Sequence, residues 1–178
     1  GVAILLRYTL RLLTLDQLGR AATLVCALEL LREEFPDELG EARFAVGLWV
    51  GRSATANTLA EVATKVTEYK NNRGPSPFPL TKCPWCNTDI HRDSLVMWPA
   101  TKPVEIRVSC VNVECRFSGR STRGAGFPVL FVDEQIYREL PAFLISTVDK
   151  FAMLPWRGDT GTLFGHVTSR DGRQFFGP

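Results

Sequence analysis

Cys83-Pro84-Trp85-Cys86 is followed, after 23 residues, by Cys110-Val111-Asn112-Val113-Glu114-Cys115. Each of these stretches, here called a knuckle, carries two cysteines at a spacing from which one tight turn can present two sulfur atoms. Two such turns supply the four thiolates that surround a structural zinc ion. The sequence therefore predicts a Zn²⁺ site with four ligands, Cys83, Cys86, Cys110 and Cys115.

The fifth cysteine, Cys26, lies in a helical pattern outside the two knuckles. An odd cysteine count together with a C-x-x-C spacing favours a metal site in a reducing cytoplasm over a secreted disulfide framework. A redox or disulfide pair is the alternative for the knuckle cysteines. His91, five residues after Cys86, is a weaker candidate ligand, and iron is the alternative metal for four thiolates.

Length and composition restrict the class of protein. The chain has 178 residues, of which 45% are hydrophobic, enough for one globular core with a small satellite. The formal net charge of +2 is too small to indicate nucleic-acid binding by itself. Since no run of 18 apolar residues occurs, we expect no membrane span.

Hydrophobic patterning on both sides of the knuckles alternates between strands and helices, which favours an α/β fold with a largely parallel sheet. Two of the helices begin with capping boxes, Thr14-Leu15-Asp16-Gln17 and Thr58-Leu59-Ala60-Glu61. The predicted strands cover residues 2–8, 43–50, 128–132 and 142–146, the predicted helices cover 14–34, 58–70, 133–140 and 148–154, and a hairpin turn is predicted at 171–172.

A change of composition divides the chain into segments. Residues 71–79 are rich in proline and cannot continue a helix, so they are predicted to be a linker. Residues 80–127 carry the knuckles and two short strand signals, at 94–98 and 104–109, as in a zinc ribbon. A segment of about fifty residues buries little surface and needs a metal to fold. The α/β part is predicted to cover residues 1–70 and to continue over 128–178.

Polar side chains follow three predicted strands at the point where each strand ends. Because the carboxyl ends of parallel strands meet at one edge of a sheet, and α/β sheets bind ligands at that edge, we expect these residues to share a site. Hydroxyls, cations and closely approaching backbone suit a phosphate backbone, whereas ordinary caps and turns are the alternative for each segment taken alone. The candidate nucleic-acid-binding residues are Thr9, Arg11, Gly51, Arg52, Thr147 and Lys150.

These three segments resemble motifs of the first RecA-like domain of superfamily 2 helicases. Residues 8–13 with Gln17 resemble motif Ia, Gly51 and its neighbours resemble the glycine-containing motif, and residues 146–150 resemble motif Ib. More closely, residues 7–29, 46–58 and 136–157 resemble the helicase-like subunit of the DISARM phage-defence system and its bacterial relatives. The resemblance implies a partial RecA-like parallel sheet, interrupted by the zinc ribbon, that holds the backbone of DNA or RNA.

The resemblance also implies an ATPase, but this chain lacks the sequence motifs that such an ATPase needs. No G-x-x-x-x-G-K-[ST] phosphate loop and no D-E-x-H/D box occur in a suitable place, so we expect the chain to be a fragment that is inactive alone. ATP and Mg²⁺ would bind only the full-length protein, and other defence-system subunits are expected as partners. Phe131-Val132-Asp133-Glu134 imitates a magnesium-binding strand but comes too early in the chain, so Asp133 is interpreted as a helix cap.

The insertion carries two features of its own. Residues 80–127 include seven Lys or Arg residues and four Asp or Glu residues, so this segment has an excess of positive charge. Trp85 and Trp98 are either ribbon core or platforms on which bases stack. The alternative function is a protein-docking module in which the ribbon recruits a partner subunit and binds no nucleic acid.

Overall fold

The structure, a computed structural model, describes residues 1–9, 11–51, 54–152, 154, 158–171 and 174–177, without the side chains of residues 11–13 and 159. The strands are β1 (Ile4–Tyr8), β2 (Val46–Trp49), β3 (Leu95–Trp98), β4 (Glu105–Val108), β5 (Val129–Leu130), β6 (Phe143–Thr147), β7 (Ser169–Asp171) and β8 (Gln174–Phe176). The α-helices are α1 (Arg11–Glu34), α2 (Pro36–Leu39), α3 (Leu59–Lys70), α4 (Asp133–Glu139) and α5 (Val148–Ala152), and 3₁₀ turns cover Arg92–Ser94 and Gly158–Phe164.

The main sheet has four strands in the order β1-β6-β2-β5, and each adjacent pair runs parallel. One of its two inner strands, β6, contributes Leu144 and Ile145, which are fully buried. Such a strand is apolar on both sides because helices cover both faces of a parallel sheet. The predicted α/β fold with a parallel sheet is confirmed.

The register of the main sheet aligns the carboxyl ends of three strands. Tyr8 at the end of β1 lies opposite Thr147 in β6, and Trp49 at the end of β2 lies opposite Ser146. The segments that follow β1, β2 and β6 therefore leave the sheet at the same edge, as expected for parallel strands.

The knuckle region forms a hairpin that packs on the main core. Strands β3 and β4 pair antiparallel, and Leu95, Ile106 and Val108 are buried in the same hydrophobic cluster as the helices of the main sheet. Phe78, in the proline-rich linker, stacks on Phe127 with ring centroids 6.1 Å apart. The linker is therefore packed against the point where the hairpin region rejoins the main sheet.

One of the two predicted threonine helix caps is confirmed and the other is wrong. Thr58 caps α3 as predicted, because its Oγ1 accepts from the Glu61 N–H at 3.2 Å. Helix α1 begins at Arg11, so the predicted cap at Thr14 is wrong. Thr14 lies inside the helix and is fully buried, and the arginine and leucines before it are good helix formers that extend the first turn.

The predicted helix cap at Asp133 is also wrong. The residue before α4, Val132, occupies the N-cap position, and Asp133 is the first helical residue. Its buried carboxylate pairs instead with the ammonium of Lys150 in α5. Among the described residues, no helix has the length and apolar character needed to cross a membrane.

Glu29, near the end of α1, is a buried carboxylate that joins three parts of the chain. It accepts a hydrogen bond from the backbone N–H of Phe44, and its Oε2 lies 3.5 Å from Nε of Arg43. Arg43 donates in turn to the carbonyls of Ala125 and Gly126, at 3.2 and 2.6 Å. Helix α1, the approach to β2 and the end of the knuckle region are therefore tied together by one ion pair.

Replacing Glu29 with alanine is expected to lower the free energy of unfolding by about 3 kcal/mol, because Arg43 loses a buried partner, as does Arg32, whose Nε lies 3.0 Å from Oε1 of Glu29. Urea denaturation followed by tryptophan fluorescence measures this change. Glu34→Ala, at an exposed position in the same helix, is the matched control and should change stability by less than about 0.5 kcal/mol. Equal effects of the two variants would contradict the role assigned to Glu29.

Candidate metal centre and sheet edge

The two knuckles bring their four sulfur atoms together. The Sγ atoms of Cys83, Cys86, Cys110 and Cys115 all lie within 4.8 Å of one another. The distance from Cys83 Sγ to Cys115 Sγ is 3.8 Å, and that from Cys86 Sγ to Cys110 Sγ is 3.5 Å. Four sulfurs about 2.3 Å from a central ion lie about 3.8 Å apart at the corners of a tetrahedron. The arrangement fits a tetrahedral metal ion.

Backbone amides support the sulfurs of both knuckles. In the first, the N–H groups of Trp85 and Cys86 each lie 3.4 Å from Sγ of Cys83. In the second, the N–H of Phe117 lies 3.4 Å from Sγ of Cys115. Amide hydrogen bonds to a thiolate stabilise its negative charge and orient its lone pairs, which is how a second shell holds metal ligands.

The thiols differ in their affinity for protons. Burial tends to raise the pKa of Cys86, but hydrogen bonds from Thr88 and the neighbouring thiols outweigh burial and lower it to about 6. Burial raises the pKa of Cys110 to about 11 and raises that of Cys115 as well. Binding a cation would displace the remaining protons, because the thiolate is the form that ligates a metal.

His91 and Cys26, whose side chains could in principle ligate a metal, both lie outside the metal site. Among the described residues, the group able to hold a metal consists of the four knuckle cysteines and does not include His91. Cys26 is fully buried in α1, and burial raises its pKa to about 12. It therefore behaves as a small apolar core residue, whereas a reactive cysteine needs an accessible thiolate.

The residues predicted at the sheet edge have different environments. Thr9 is exposed directly after β1, and a Cβ added to Gly51 would meet nothing within 4 Å. Thr147 is buried, and its Oγ1 has no hydrogen-bond partner among the described residues. The backbone of Arg11 starts α1, but its side chain and the whole of Arg52 lie outside the described residues.

Lys150 belongs to a buried polar cluster that sequence reasoning missed. Its ammonium pairs with the carboxylate of Asp133 and lies 3.4 Å from Oδ1 of Asn57. The cluster joins the loop after β2, which holds Asn57, to helices α4 and α5, which follow β5 and β6. The signal available in the sequence was a carboxylate between a buried strand and a helix, which also suits a cap, so spacing alone could not identify the partner.

Removing one knuckle ligand is expected to abolish stoichiometric metal binding. Cys110→Ala should lower the metal content from about one ion per chain to a small fraction and lower the melting temperature, because the ribbon then loses its cross-link. Metal analysis by mass spectrometry and thermal unfolding measure these changes. Cys26→Ala is the matched control and should keep the metal. A metal content that is unchanged in Cys110→Ala would overturn the assignment.

No family model matches the sequence. The chain is 38% identical over 179 aligned residues to the DISARM protein DrmA of Bacillus paralicheniformis, and the alignment covers 94% of the chain. The same alignment covers 15% of the length of DrmA. The aligned region includes nearly the whole chain, the parallel sheet and the knuckle region alike. The chain is therefore related to one segment of the DISARM protein DrmA.

Proposed function

We propose that this chain is a segment of a helicase-like protein of bacterial phage defence and that the carboxyl edge of its sheet contacts the sugar-phosphate backbone of a nucleic acid. The similarity to DrmA over almost the whole chain supports the phage-defence role. The helicase motifs that the three strand ends resemble support the contact with nucleic acid. The segment would carry out no chemical step itself and would hold the nucleic-acid strand on which a larger ATPase acts.

The observation that carries this proposal is the common edge formed by the ends of β1, β6 and β2. The register places Tyr8 beside Thr147, and Ser146 beside Trp49, so the loops that follow start side by side. Thr9 offers an exposed hydroxyl, and Gly51 leaves open space around its backbone. Backbone groups and hydroxyls at such an edge bind phosphate oxygens without reading the base sequence.

Within this proposal, the six candidate residues divide into two roles. Thr9 and Gly51, with the cations Arg11 and Arg52, would contact the nucleic acid, and the buried Thr147 would support the edge from within the sheet. The Lys150 ammonium is already compensated by Asp133, so it would hold the motif Ib-like segment in place. The charge that contributes most to affinity would then come from the two arginines.

The metal site has a structural role in this proposal. Its four thiolate ligands leave no open position for substrate, as in structural zinc centres. Zinc is the metal that this ligand set and spacing fit best. ATP and Mg²⁺ would be bound by other parts of a longer protein, because phosphoryl transfer needs a phosphate cradle and a magnesium carboxylate.

A titration with labelled single-stranded and duplex DNA at about 50 and 200 mM salt tests the nucleic-acid contact. Affinity should fall steeply at the higher salt, because phosphate contacts release counterions. Thr9→Glu should weaken binding at low salt several-fold by placing a negative charge at the edge. Thr64→Glu, exposed in the middle of α3, is the matched control. Absence of binding at low salt by a folded, metal-loaded chain would refute the proposal.

A second candidate function, docking of a partner subunit on the ribbon, is favoured by the second knuckle. Val113 is 73% exposed and Val111 is 37% exposed there, and clustered exposed apolar side chains are typical of interaction surfaces. Charge reversal of Arg107, Arg116 and Arg120 separates docking by the ribbon from nucleic-acid contact by the ribbon. Docking predicts lost co-purification with the other DISARM subunits and unchanged DNA affinity, whereas nucleic-acid contact by the ribbon predicts the opposite.

A further inference from the structure

The outer face of the β3–β4 hairpin exposes a tryptophan beside an apolar side chain. Side chains alternate along each strand, so Leu95, Ile106 and Val108 face the core and are buried. On the opposite face, Val96 is 47% exposed and Trp98 is 48% exposed. The structure therefore answers the question left open for Trp98, because its ring lies at the surface of the ribbon and does not form its core.

Trp98 is held in place by an arginine on the neighbouring strand. The guanidinium carbon of Arg107 lies 4.6 Å from the centre of the Trp98 ring. Glu105, directly opposite Trp98 in the register, accepts a hydrogen bond from Arg107 Nε at 2.8 Å and so orients the guanidinium. A cation stacked on one face of an indole fixes the plane of the ring and leaves about half of the side chain in solvent.

Exposed cations lie in the turn after Trp98 and in the cleft that Arg107 lines. Arg107 also lines a cleft of about 400 Å³ with Arg123 and Thr122. Lys102 lies in the turn that joins β3 and β4 and is exposed, as is Arg123. Neither Lys102 nor Arg123 takes part in an ion pair with another described residue, although the carboxylates of Glu105 and Glu139 also line the cleft.

We propose that Trp98 is a stacking platform for one base of a single-stranded nucleic acid, with the flanking phosphate near Lys102 or Arg123. We call the surface formed by Val96, Trp98 and Arg107 the hairpin platform. This inference rests on the proposed function and adds a second point of contact, on the ribbon, to the one at the sheet edge. Every base has a π-face, so such a platform binds without sequence preference.

Lys102 and Arg123, which form no ion pair with a described residue, favour a nucleic acid over an apolar protein partner as the occupant. A docking protein would need anionic groups placed to meet Lys102 and Arg123, whereas a single strand carries a phosphate next to each base. A half-exposed aromatic ring with an arginine stacked on it is also an arrangement on which bases stack in single-strand-binding proteins.

The test compares a labelled thymidine 20-mer with an abasic 20-mer of the same charge, using the metal-loaded 178-residue chain. The wild-type chain should bind the thymidine strand more tightly, because the abasic strand cannot stack. Trp98→Ala should lose about fivefold or more in affinity for the thymidine strand and bind the two strands alike. Trp98→Phe should restore most of the difference, because phenylalanine keeps an aromatic face.

Val113→Ala, at an exposed position on the second knuckle, is the matched control and should leave the preference for bases unchanged. Metal content and melting temperature establish that each variant is folded. If Trp98→Ala does not fold, the wild-type chain still provides a test, because equal affinity for the thymidine and abasic strands would refute the inference.

The outcomes separate this inference from the proposed function. If the wild-type chain binds neither strand at low salt, both are overturned. If it binds both strands equally, or if Trp98→Ala keeps the full preference for bases, the sheet-edge contact stands and the hairpin platform is refuted. Self-association of the chain that Trp98→Ala abolishes, with unchanged DNA binding, would assign the platform to protein contact and refute the inference.

Discussion

Parallel pairing of β6 with a strand on each side is the constraint on which the candidate site depends. Leu144 and Ile145 are buried on opposite faces of the sheet, and a one-residue slip would put the polar Ser146 in the place of Ile145. The same register sets the ends of β1, β6 and β2 side by side. The hydrophobic core therefore determines the alignment of the polar segments, although none of them is part of that core.

Two buried ion pairs fix the positions of helices and loops that the pairing of the strands does not determine. The Asp133–Lys150 pair connects the first residue of α4 to α5. On the other side of the chain, Glu29 and Arg43 connect α1 to the end of the knuckle region. Both carboxylates are buried, so losing a partner is costly and each contact has one favourable geometry. The metal site and the sheet edge are thereby held as parts of one core.

Sequence reasoning succeeded where a local pattern has one physical reading. Paired cysteines at knuckle spacing, the Thr58 cap and alternating strands and helices each predicted what the structure contains. It failed where a residue suits two local roles. Thr14 and Asp133 both match the chemistry of a helix cap, but burial and, for Asp133, a lysine 17 residues away decide their actual environment. The exposure of Trp98 likewise depends on strand register, which its neighbours in sequence do not reveal.

The stacking of Phe78 on Phe127 has an evolutionary consequence. The two rings bracket the hairpin region and lie 6.1 Å apart, so the chain leaves the main core and returns to it at almost the same place. An insertion with adjacent ends can change in length or content without moving the strands that flank it. The outer face and turns of the ribbon can therefore diverge while the spacing of the sheet stays constant, whereas Leu95, Ile106 and Val108 are restrained by their packing in the main core.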